Sequence, residues 1–171
     1  MESLLPYLPD DIQVRSVTLP HLSNGVLPRL KNIWHMRSIR ADIIHINGDV
    51  HYSVLGAVRS KTLLTVLDLG SIKRLSGVRR RVFRRIWYTI PIAWAAQVTV
   101  ISEQIERELL LLEPRVLPKL EVVHIAVSSK FFEPKPTQPV VYREFLHVGT
   151  AQNKNLDRVI EAFADSGLGL H

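Results

Sequence analysis

Two short stretches set ionisable side chains at the ends of apolar runs. Asn47-Gly48-Asp49-Val50-His51-Tyr52 follows the run ending at Ile46 and presents a carboxylate two residues before an imidazole, a pairing suited to acid/base work. Asp68-Leu69-Gly70 follows the run ending at Leu67 and offers another carboxylate at a turn. In an open α/β sheet, ligands bind beyond the carboxyl ends of the strands, so Asp49, His51 and Asp68 are the catalytic candidates. Asp and Gly are also ordinary turn formers, and that conformational reading stands beside the catalytic one. His45, Asp49 and His51 share a spacing that metal sites use, but His45 lies inside the apolar run, where alternation aims it elsewhere. No metal is expected. A third stretch, Thr150 to Asn155, delivers a lysine, Lys154, and an N-cap-type residue, Asn155, to a helix start, where backbone N–H groups favour a phosphate. Any strand-to-helix connection also needs a polar turn and a cap, which is the plainer reading of that stretch.

The elements around these residues alternate. Apolar runs rich in β-branched residues recur at 12–19, 42–46, 63–67, 98–101, 120–125 and 145–148, and read as strands. Helical patterns fall at 26–39, 50–58, 78–95, 103–112 and 156–164. Ser102 is placed to cap the fourth of these, with Glu103 and Glu106 in its first turn. Near-continuous runs such as Ile43-Ile44-His45-Ile46 suit strands covered on both faces, so the fold class is α/β with a mostly parallel sheet flanked by helices. Residues 130–139 hold three prolines without periodicity and mark a linker. The expected organisation is a first domain over 1–130, a linker over 131–143, and the opening strand and helix of a second domain over 144–171. After Ala164 only seven residues follow, so that strand and helix are expected to lack a further element to pair with.

Of the 171 residues, 46% are hydrophobic and 22% charged, the balance of a globular chain with length enough for a core. There is no cysteine, hence no disulfide and no thiolate metal site, and the acidic, proline-bearing start does not resemble a secretory signal. The uncharged stretch from Ile86 to Ser102 is interrupted by Pro91, Gln97 and Thr99, which argues against a membrane span. The net charge of +6 is concentrated: no acid occurs between Leu69 and Ser102, while Arg79, Arg80, Arg81, Arg84 and Arg85 fall together. A helix over Val78 to Trp94 would gather Val82, Phe83, Ile86, Trp87 and Ile90 on one side and Arg80, Arg81, Arg84 and Arg85 on the other. Such a helix either packs with a solvated basic face or meets an anionic surface. A membrane is favoured over nucleic acid, because the bulky Phe83, Trp87, Tyr88 and Trp94 lack interleaved base-reading residues.

Five segments in order carry a resemblance: ADIIHINGDVHYSVL (41–55), TLLTVLDLG (62–70), AAQVTVISEQIERELL (95–110), KLEVVHIAVSSKFFEP (119–134) and FLHVGTAQNKNLDRVIEAFA (145–164). Together they resemble the GT-B glycosyltransferases of the retaining group-1, or family 4, type, and span most of the chain. The resemblance implies a Rossmann-like acceptor-side domain followed by the first β-α unit of a nucleotide-sugar-binding domain. It implies transfer of a hexose from a nucleotide-diphosphate sugar, as substrate rather than cofactor, to a glycan or lipid-linked acceptor, with no metal. Gly149, Thr150, Lys154 and Asn155 would serve the donor diphosphate, and Asp49, His51 and Asp68 the acceptor side. A cytoplasmic enzyme of envelope polysaccharide synthesis, peripheral at the inner membrane face, is the implied setting. Leu67 stands where the family pattern has a histidine, and Gln152 and Asn153 stand near where it has an arginine. The paired glutamates of the second domain do not occur in this chain, so a fragment with little catalysis of its own is expected. The rival reading is an inactive Rossmann-like remnant that docks to a membrane or partner. An oxidoreductase ranks below both, since no G-x-G-x-x-G follows a strand.

Overall fold

The computed structural model describes residues 8–127, 144–150, 154–164 and 166–171. The chain divides into two compact units, Met1–Val127 and Ser128–His171. The first unit is built on four parallel strands, β1 (Ile44–Ile46), β2 (Thr62–Val66), β3 (Gln97–Val100) and β4 (Leu120–Val122), lying side by side in chain order. The α/β class and the parallel sheet flanked by helices are as expected, and are compatible with a Rossmann-like arrangement. Before the sheet comes α1 (Val26–Met36), and β2 and β3 are joined by α2 (Gly70–Lys73), α3 (Gly77–Arg84), a π turn (Arg85–Thr89) and α4 (Ile90–Trp94). Between β3 and β4 lies α5 (Glu103–Leu112), which starts where Ser102 accepts a hydrogen bond from the Ile105 amide at 3.3 Å.

Strand order explains where the core sits. Connections that step repeatedly in one direction with right-handed crossovers all pass over the same face of the sheet. On that face Ile44, Ile46, Leu64, Val66, Val98 and Val100 align in register and are buried against Tyr52, Leu69, Trp87, Ile92 and Leu109. The opposite face is polar. There His45 Nε2 lies 2.6 Å from Thr65 Oγ1, which is 2.7 Å from Thr99 Oγ1, and Glu121 follows beside Thr99 in register. On this face His45 and Glu121 are exposed at the outer strands, while Thr65 and Thr99 between them are buried, so the polar face is open at its edges rather than apolar throughout, as the near-continuous runs suggest.

Three other expectations change. The 12–19 run is irregular, with Ile12, Val14 and Val17 exposed, because among the described residues no strand lies beyond β1 to pair with it. Its continuation is tied down by Asn32, which accepts from the His21 amide and donates to the His21 carbonyl. The 50–58 pattern forms a 3-10 turn over His51–Gly56 instead of an α-helix. Gly56 lets α1 press directly onto that turn: a Cβ there would stand 2.0 Å from the Ile33 carbonyl oxygen. The 78–95 pattern is three consecutive helical pieces, since buried Pro91 cannot continue the hydrogen-bond ladder of a single α-helix.

In the second unit β5 (Glu144–Phe145) is followed by α6 (Leu156–Phe163) and β6 (Gly169–Leu170), and β6 pairs with β5 in parallel. The strand and helix therefore do have a following partner, which corrects the expectation that they stood alone. Phe145 and Phe163 meet edge to face, 5.3 Å between centroids, and join strand to helix. The linker 131–143 and the loop residues Gln152 and Asn153 lie outside the described residues.

Candidate functional site

Proline 91 shapes the site before any acid or base enters it. In an α-helix the carbonyl of Trp87 would accept from the N–H of residue 91, and proline has none. That carbonyl instead accepts a hydrogen bond from His51 Nδ1 at 2.8 Å, reaching in from the 3-10 turn after β1. The indole Nε1 of the same tryptophan donates to Asp49 Oδ1 at 2.6 Å. Trp87 thus holds both candidates, one by its main chain and one by its ring. They do not bond each other: the Asp49 and His51 pair is bridged rather than direct.

Because a carbonyl can only accept, the neutral His51 ring carries its proton on Nδ1 and leaves a lone pair on Nε2. Burial pushes the His51 pKa down, and the bond to the Trp87 carbonyl and the charges of Asp49 and Asp68 only partly oppose this. His51 is almost fully buried and touches Tyr88 edge to face, 5.5 Å between centroids. Burial raises the Tyr88 phenol pKa, with Asp68 and Asp49 adding to the rise. Asp68 caps its own turn by accepting from the Gly70 amide at 2.7 Å, and the Tyr88 hydroxyl donates to the Asp68 carbonyl at 3.4 Å. All three predicted catalytic residues therefore converge at the carboxyl ends of β1 and β2. Asp49 and Asp68 are exposed, with the neutral His51 and Tyr88 buried beneath them.

The helical pattern puts Trp87 on the apolar side of a long helix and counts Tyr88 only among its bulky aromatics. Trp87 and Tyr88 lie next to each other in the π turn, and both are buried. Phe83 stacks on Trp87 at 4.9 Å, and the Arg29 guanidinium covers its ring at 4.6 Å. A proline inside a helical pattern was the available signal. The turn is fixed from outside by Glu113, whose carboxylate accepts from Arg84 Nε at 2.7 Å and from the Thr89 hydroxyl. His45 serves a different place, the polar sheet face, and among the described residues no three metal-type side chains come together.

On the second unit Gly149 has φ +96°, and the Lys154 side chain lies against it, within 3.4 Å of where a Cβ would stand. Thr150, Lys154 and Asn155 are exposed beside them. Asn155 occupies the N-cap position of α6 in the left-handed region, φ 53°, and its side chain makes no cap hydrogen bond, which corrects its expected capping role. No family model, curated protein or solved structure matches the chain.

Proposed function

We propose that this chain is the acceptor-side part of a GT-B glycosyltransferase of the retaining group-1, or family 4, type, using a nucleotide-diphosphate sugar. The observation that carries the reading is the convergence of Asp49, His51 and Asp68 at the carboxyl ends of neighbouring parallel strands, where α/β folds bind their ligands. Two exposed carboxylates above a buried neutral imidazole suit an acceptor rich in hydroxyls: Asp49 and Asp68 accept its O–H groups, and His51 Nε2 takes a proton. On the second unit Lys154 would meet donor phosphate oxygens as a point charge beside Gly149, with Thr150 and Asn155 lining the same turn. Transfer would draw on electrostatic stabilisation of the departing diphosphate, with no metal in the scheme.

The test is titration of the full chain with a panel of oligosaccharides and lipid-linked saccharides, read by calorimetry. Asp49→Asn keeps an oxygen for the Trp87 indole but removes the charge. It should weaken saccharide binding about tenfold, the worth of one charge-assisted hydrogen bond. Absence of binding by every saccharide, or equal affinity in the Asp49→Asn variant, would overturn the reading.

A further inference from the structure

The helix over residues 77–89 needs one apolar stripe to dock onto the first unit, and it has two. Phe83 and Trp87 point inward and stack on each other. Val78, Val82 and Ile86, at successive i, i+4 positions, point outward and are 72%, 52% and 42% exposed. The helical wheel groups Val82 and Ile86 with Phe83 and Trp87 on one side; in the structure the two sets separate, and Val82 and Ile86 face outward. At about 100° per residue, Arg81 and Arg85 fall on one flank of this ridge and Arg79 on the other. All three arginines are exposed, and among the described residues none has a carboxylate within salt-bridge distance.

We propose that this ridge is a membrane-docking surface that lies in the plane of an anionic phospholipid bilayer. Aliphatic side chains bordered by arginines fit that boundary: the valines and isoleucine enter the acyl layer while the guanidinium groups stay at the phosphates. Nucleic acid would use the arginines but gain nothing from three exposed aliphatics. A second copy of this strongly basic helix would bring like charges together. The described helices include none long and apolar enough to cross a membrane, so the contact is peripheral. This surface does not rest on the glycosyl-transfer reading, and a failure of either leaves the other intact.

The experiment is sedimentation of the full chain with phosphatidylcholine vesicles, with and without phosphatidylglycerol. Binding is expected only when the anionic lipid is present. Arg79→Gln, Arg81→Gln and Arg85→Gln together should lower the partition coefficient on the order of a hundredfold, about fivefold for each charge. Val78→Ser with Val82→Ser, which leaves the net charge alone, should lower it about tenfold. Both sets lie at exposed positions, and an unchanged circular dichroism spectrum confirms the fold. No binding, or equal binding to vesicles without anionic lipid, overturns the proposal. So does a loss confined to the arginine variant, which would mark a simple phosphate or nucleic-acid contact. Self-association in the absence of lipid, abolished by the two serines, would assign the ridge to a second copy instead.

Discussion

Replacing His51 by phenylalanine tests the central geometry on two axes at once. Phenylalanine offers a flat ring that can meet Tyr88 edge-on as the imidazole does, any crowding being the same at every pH, but it has no N–H for the Trp87 carbonyl. Pro91 cannot supply one, so that buried acceptor is left unpaired at a cost of about 1–3 kcal/mol above neutral pH. The pH dependence follows from the depressed His51 pKa. The unfolded chain takes up the proton first as pH falls, so the stability contributed by neutral His51 is complete above its ordinary value of 6.5. Below that it is lost, at up to about 1.4 kcal/mol per pH unit, until the folded pKa is passed. Burial also depresses His45, but that loss is common to both proteins and cancels in the comparison. Urea unfolding followed by tryptophan fluorescence should therefore show the His51→Phe variant less stable at pH 7.5, with the gap closing as the pH drops below 6.5. In a Pro91→Ala background the restored amide can take the Trp87 carbonyl, and His51→Phe should cost less. A gap that stays constant from pH 7.5 to 5 would refute the depression of the His51 pKa by burial, and an equal cost in both backgrounds would refute the bridge between His51 and Trp87.

Gly56→Ala drives a Cβ into the Ile33 carbonyl and should destabilise the first unit by about 3 kcal/mol or more, read as a shift in the urea midpoint without a change in slope. Glu113→Ala removes the acceptor shared by Arg84 and Thr89 and should cost about 2 kcal/mol. Hydrogen exchange of the amides over 85–89 should accelerate in that variant more than that of β3.

What was legible in the sequence was local. Ser102 with Glu103 and Glu106 wrote the start of α5 in adjacent residues, and the structure places that helix at the expected bounds. The strands beginning at Ile44, Thr62 and Gln97 were marked by β-branched runs, whose positions of one parity align on the core face. Residues 12–19 have the same composition, yet a strand exists only through its neighbour, and composition does not say whether one is there. The two-residue β6 is too short to carry any period, and only its pairing with Glu144 and Phe145 defines it. The polar sheet face could have been found by aligning strands: His45, Thr65 and Thr99 break otherwise apolar runs at positions of one parity, and only the register shows that they meet.

The site was half legible for a related reason. Its acids and its imidazole follow strands and could be picked out singly, whereas the residue that joins them sits 36 positions beyond His51 and bonds through its main chain as well as its ring. Pro91 links the two halves. A helix-forming residue in its place would close the ladder onto the Trp87 carbonyl, and the imidazole would then have to find another acceptor or turn away from the strand ends. The local defect in the helix is thus what fixes the His51 tautomer, and with it the nitrogen available to a ligand. If the double-mutant coupling between His51 and Pro91 is measured and large, the proline belongs to the site's machinery despite touching no ligand. If it is absent, Asp49 and Asp68 remain as surface carboxylates over an ordinary core histidine.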